Sequence, residues 1–152
     1  MKITKSPFFT GTLLLAGLGS LLLSSGGSTA APGASVGKSL QGVWQGARFD
    51  SGKGEDPSKG VKLQLTIKGN HVSAMRLPEG NIGEGDFRLS ADGSTIDAIG
   101  TTGGYKGKNF LGTLKIQGDT LYWCTTSGKP SGRPTDFVAG NGNYLIVVKR
   151  QQ

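Results

Sequence analysis

The sequence predicts an all-β domain built as a single antiparallel, up-and-down barrel of eight strands, and three observations predict it. Twenty-seven glycines among 152 residues, with few aromatics, describe a chain of many turns rather than long helices. Short runs rich in β-branched and aromatic residues alternate with turn chemistry, and no stretch has sustained helical periodicity. Two segments, Leu65 to Val72 and Leu114 to Leu121, repeat one hairpin device, with apolar positions set around a Gly-Asn or Gly-Asp turn.

The chain opens with Lys2 and Lys5, followed by a run from Thr12 to Leu23 that is mostly leucine, glycine and alanine. Ser28-Thr29-Ala30 then supplies small residues, so residues 1–30 read as a secretory signal cut after Ala30, Pro32 disfavouring the next site at Ala31. A retained anchor is the rival, but Gly17, Gly19 and Ser20 interrupt a run that is short for a membrane span. The expected location is the periplasm or the medium. Residues 31–38 are small and read as a flexible linker, and the domain is expected over residues 39–152.

Removing residues 1–30 takes away two lysines and no acid, so the formal charge falls from +7 to +5. The remaining lysines are scattered singly among turns and strands, which points to a solvated surface rather than a nucleic-acid or membrane patch. Cys124 is the only cysteine, so no internal disulfide is available and the core must hold the fold.

The strands are expected near 43–49, 61–67, 71–77, 84–89, 94–99, 109–117, 119–125 and 143–149. The clearest is Val61 to Ile67, where Val61, Leu63, Leu65 and Ile67 face one way and Lys62, Gln64 and Thr66 the other. The repeated hairpins place Ile67 opposite Val72 and Ile116 opposite Leu121, and Asp92-Gly93 marks a third turn. Eight strands joined in order suit a closed barrel, because closure removes the exposed edges that a sandwich would leave. Longer connections at 50–60, 100–108 and 126–142 are placed to gate an open end.

Gly42-Val43-Trp44 on the first strand resembles the Gly-x-Trp signature that opens lipocalins. The resemblance implies that Trp44 plugs the closed end of a calycin-like barrel and that Arg150, ending the last strand, packs across it. More closely, the domain resembles a family of exported bacterial lipocalin-like domains of unknown function. The blocks that carry the likeness are Leu40-Gln41-Gly42-Val43-Trp44, Leu65-Thr66-Ile67-Lys68-Gly69, Leu111-Gly112, Gly118-Asp119-Thr120-Leu121, Cys124, Arg133-Pro134-Thr135-Asp136-Phe137 and the Val147-Val148-Lys149-Arg150 ending. Tyr122 and Trp123 depart from that pattern, which implies a bulkier interior. The family carries no activity to transfer.

Catalysis and metal binding find little support in the residues. His71, the only histidine, follows a turn on the wet face, and Cys124 has no histidine near it in sequence to form a thiolate. One histidine and one cysteine do not make an ordinary zinc site, most carboxylates sit in turns, and residues 50–56 lack the spacing of a calcium loop. No catalytic residue, metal or cofactor is expected. Arg133, Asp136 and Phe137 read as anchors of a long loop, Phe137 packing, Asp136 capping and Pro134 stiffening it, the alternative being that Arg133 and Asp136 are presented to a partner.

The expected function is non-catalytic binding of a small apolar or amphiphilic ligand in the barrel; the alternative is an interaction or inhibitor module of the cell envelope that acts through its loops. Alternation puts Gly46 and Arg48 on the face of Trp44, and Tyr144 on the face of Arg150, while Trp123 shares the face of Ile116. Any ligand is therefore expected at the end away from Trp44, against Arg48, Trp123 and Tyr144, with a fatty acid as the natural occupant if Arg48 meets an anion.

Overall fold

A computed structural model describes residues 32–49, 61–78, 80–128 and 132–152. The expected signal, residues 1–30, and the connection 50–60 lie outside the described residues. Eight strands, β1 (Gly42–Phe49), β2 (Val61–Lys68), β3 (His71–Arg76), β4 (Gly80–Leu89), β5 (Thr95–Gly100), β6 (Asn109–Gln117), β7 (Thr120–Thr126) and β8 (Asn143–Arg150), close into one antiparallel barrel in sequence order. Each strand pairs with its sequence neighbour, and β1 pairs with β8 through Trp44 opposite Arg150 and Gly46 opposite Val148. No described strand is left with an open edge.

The period-two pattern explains the interior. Leu63, Leu65 and Ile67 of β2 are buried while Lys62 and Lys68 are exposed, and the same alternation buries Phe87, Ile96, Leu114, Leu121, Ile146 and Val148. The hairpins fold in the expected register, Ile67 opposite Val72 and Ile116 opposite Leu121. Gly69 and Gly118 take positive φ at the first turn position, as a tight hairpin matching the strand twist requires. Strand β4 begins at Gly80, earlier than sequence alternation suggests: Gly80, Asn81 and Gly83 are poor strand formers, and pairing with β3 across a register shift at Ala74/Met75 recruits them.

One expectation is overturned. Of the expected flexible linker, residues 31–38, the described residues 32–38 lie in a helix, α1 (Pro32–Leu40), packed on the barrel's end. Nine residues with glycine and serine among them are too few for an autonomous helix, so tertiary contacts must hold it. Val36 and Leu40, one turn apart, both meet the core; Gly33 N–H donates to Ala91 O at 2.7 Å across the β4–β5 turn. Gln41 grips the β2–β3 turn, its side chain accepting from Gly69 N–H at 2.6 Å and donating to Gly69 O at 3.1 Å. Gly42, at φ 119°, then turns the chain from helix into strand.

Trp44 is fully buried beneath this helix, its indole N–H donating to Leu40 O at 2.8 Å. The Arg150 guanidinium lies 4.1 Å from the indole centroid and donates to Gln41 O at 2.6 Å and to Ser39 O. Three carbonyls at the helix end are thus satisfied by two side chains, one of them a cation where the helix dipole favours positive charge. This end of the barrel is closed.

At the same end, the β4–β5 turn is organised by Asp92. Ser90 and Ser94 hydroxyls and the Ser94 N–H all donate to its carboxylate, and these bonds, that from Ser90 foremost, lower its pKa from 3.8 to about 2. A carboxylate with a depressed folded-state pKa contributes stability that is present above 3.8 and lost as pH falls toward 2. The stability gap between wild type and Asp92→Asn should accordingly be widest near about pH 6 and narrow by about pH 2.5, as urea midpoints at the two pH values would measure. An equal gap at both would show that the bonds to the turn do not depend on the charge.

Candidate functional site

The barrel interior is not filled uniformly. Beyond the Trp44 end, inward positions contribute Leu63 and Leu65 from β2, Val72 and Ala74 from β3, Gly83 and Gly85 from β4, and Ala98 and Gly100 from β5. Phe110 of β6, Trp123 and Thr125 of β7, and Tyr144 and Ile146 of β8 complete the ring around a recess of about 110 Å³. On β4 and β5 all four of these lining positions are glycine or alanine, and Ala74 of β3 lies beside them.

One aromatic side chain enters from a connection. A 3₁₀ turn at Gly103–Tyr105 is tied to β4 by Thr101 N–H donating to Glu84 O at 2.8 Å and Glu84 N–H donating to Thr102 Oγ1 at 3.0 Å. These bonds lay Tyr105 over Gly83 and Gly100: a Cβ at Gly83 would come within 3.3 Å of Tyr105 Cδ2, and one at Gly100 would collide with the Tyr105 carbonyl. The Tyr105 ring meets Phe110 edge-on, centroids 5.6 Å apart at 72°.

The polar groups of the recess are mostly turned away from it. Thr125 Oγ1 donates to Leu111 O at 3.3 Å. Trp123 Nε1 is buried without a hydrogen-bond partner and lies against Gly112, 2.5 Å from where a Cβ there would stand, so the N–H faces the barrel wall. Glu84, on the outward-facing side of its strand, is directed toward His71, its carboxylate 3.7 Å from Nε2.

Of the ligand contacts expected from sequence, Trp123 and Tyr144 line the recess. The side chain of Arg48 lies outside the described residues; its backbone pairs with Val61 and Ile146. Tyr105, Phe110 and the glycine wall are additions. The alternation that buries Phe87 also puts Gly83 and Gly85 on the inner face, and this was the readable signal; the return of Tyr105 from a connection was not readable.

The loop block behaves differently from its sequence reading. Residues 132–140 lie along the outside of β6 and β7, where Pro134 is buried and its carbonyl accepts from Thr113 Oγ1 at 2.5 Å. Phe137 does anchor the loop: its ring meets Tyr122 edge-on at 6.3 Å, and Lys115 Nζ lies 4.7 Å from its centroid. Asp136 is exposed and accepts only from its neighbour Thr135, at 3.3 Å, among the contacts described, so it does not cap the loop. The cap is Arg133, which donates to Gly112 O at 2.7 Å and Ile96 O at 3.3 Å and pairs with Asp97 at 2.5 Å. A forked guanidinium reaches several acceptors on two strands at once, which a lone carboxylate cannot do.

Cys124 faces outward yet is fully buried, because this loop covers it; its Sγ–H donates to Val138 O at 3.4 Å, and burial pushes the thiol pKa up. His71 stands on the outer wall, Nδ1 2.7 Å from Asp86 Oδ1, on the far side of β3 and β4 from the recess. Among the described residues no group of three or more His, Cys, Asp or Glu side chains has the arrangement to hold a metal ion, and no helix is long and apolar enough to cross a membrane. A second, external groove runs over β4 to β6, with Arg88, Asp97, Ile99, Lys108 and Leu111 along it. Comparison with family models, with curated proteins and with solved structures finds no match to this chain.

Proposed function

We propose that this chain is a non-catalytic binding protein, an exported barrel of lipocalin-like type that holds one small apolar or amphiphilic ligand in the recess beyond Trp44. The observation that carries the reading is the contrast between the two ends of one barrel. At one end α1, Trp44 and Arg150 fill and cap the interior; at the other the interior is left with a recess walled by small residues of β4 and β5 and by aliphatic and aromatic groups. Protein interiors are close-packed with few voids, so unfilled space invites an occupant; the acid–base groups in its lining among the described residues are the Tyr105 and Tyr144 phenols and Glu84, which is turned toward His71. The Gly42-Val43-Trp44 start and the Arg150 contact support the lipocalin-like assignment, and the basic, leucine-rich start supports export.

Organic-solvent extraction of the full chain purified from its exported fraction, followed by mass spectrometry, tests this reading. The expected result is one recurrent apolar compound, or, for an empty preparation, saturable binding of an apolar fluorophore. Neither a compound nor saturable binding would overturn it. A second reading, an envelope interaction module, is favoured by one observation: the large aliphatic side chains left exposed among the described residues, Ile99 at 45% and Val138 at 66%, lie in the external groove and on the loop.

A further inference from the structure

Resting on that reading and narrowing it, we propose that the recess selects a single uncharged aromatic ring and that Tyr105 sets the limit. Size comes first. An apolar protein cavity of about 150 Å³ stays dry and takes up benzene. At about 110 Å³ this recess is of the same order, enough for one ring and too small for a long acyl chain. Shape comes second. Phe110, Trp123 and Tyr144 bring ring faces and edges to a space whose β4–β5 side, at Gly85 and Ala98, carries almost no side chain; a flat guest can lie on that side and meet the rings edge-on, the geometry aromatic pairs prefer.

Charge comes third. Among the described residues lining the recess none is a cation and Glu84 is an acid, the Thr125 hydroxyl is engaged with Leu111 O, and Trp123 Nε1 lies against Gly112, so a carboxylate head would leave water without meeting a positive charge. This argues against the fatty acid that Arg48 alone would suggest.

Tyr105 is the element that holds the size down. Its ring lies over Gly83 and its carbonyl and Cβ over Gly100, it is braced by Phe110, and Lys108 Nζ stands 5.5 Å from its centroid. The hydrogen bonds from Thr101 and to Thr102 fix the turn that carries it. Removing the ring would join its seat to the recess and lengthen the space for a chain-like guest.

The test uses the full chain, with toluene and dodecanoate as probes, binding followed by calorimetry and by NMR shifts of the protein. Wild type should bind toluene saturably and dodecanoate at least about tenfold more weakly. Ala98→Phe and Ala74→Leu, each checked for native circular dichroism, fill the recess and should weaken toluene binding by about tenfold or more. Tyr105→Ala should strengthen dodecanoate binding by a similar factor. Dodecanoate bound by wild type as tightly as toluene would overturn the selectivity while leaving a ligand-holding barrel in place. Toluene binding unchanged in both folded filling variants would overturn the site, and dodecanoate binding unchanged in Tyr105→Ala would overturn the role of the tyrosine. Neither probe binding to wild type would overturn this proposal and count against the broader reading as well.

Discussion

Trp44→Ala should destabilise the domain by about 3 to 5 kcal/mol, the range for removing a large aromatic from a packed core. The side chain is completely buried, its N–H holds Leu40 O, and its ring carries the Arg150 guanidinium. Truncation would therefore leave a cavity, an unsatisfied carbonyl and a displaced cation at one place, and these losses reinforce one another. Trp44→Phe separates them: it keeps most of the buried area and loses the N–H, so its cost should be nearer about 1 to 2 kcal/mol. Urea unfolding of both variants measures this. A Trp44→Ala loss below about 1 kcal/mol, the size expected of a surface change, would show that the indole does not close the barrel.

The second large effect is expected at Arg133. Arg133→Met keeps the length of the side chain and removes its bonds to Gly112 O, Ile96 O and Asp97, at a cost of about 2 kcal/mol once partial exposure is allowed for. The loss should fall mainly on the loop, and Cys124 reports it. The thiol is sealed under Val138 and has a raised pKa, so labelling requires the loop to lift; weakening its hold by about 2 kcal/mol should speed reaction with a thiol reagent by about thirtyfold. An unchanged labelling rate would mean that Phe137 and Pro134 hold the loop without the arginine.

What the sequence makes legible here is the part governed by period-two alternation. Val61 to Ile67 announces one wet and one buried face, and the two Gly-Asn and Gly-Asp turns fix the register of their hairpins, because a turn and its flanking pattern must agree or every side chain changes face. With all eight strands joined in order, closure follows from pairing β1 with β8. The helix is not legible, since Gly33, Ser35 and Gly37 argue against it locally and its supports, Ala91 and Arg150, lie far along the chain. Half of the candidate site is legible in the same sense: alternation places Trp123 and Tyr144 inward, but Tyr105 returns from a connection, and connections have no period to read. Arg133 and Asp136 are equivalent as polar loop residues until the carbonyls of Ile96 and Gly112 are seen within reach of one and not the other.

The capping of α1 also bears on the order in which the chain can fold. The guanidinium that secures Ser39 O and Gln41 O comes from a residue 111 and 109 positions later, so the first described element has its end completed by the last strand. Contacts of such separation require the intervening chain to be ordered first, and topologies rich in them reach the native state slowly. A ribosome-bound chain that has not yet released β8 accordingly has neither a closed sheet nor a stable α1, and Trp44, with the apolar faces of the early strands, must wait in water until the end arrives. For a chain read as exported, that delay is useful, because a domain that cannot lock before its last strand emerges stays loose enough to be threaded.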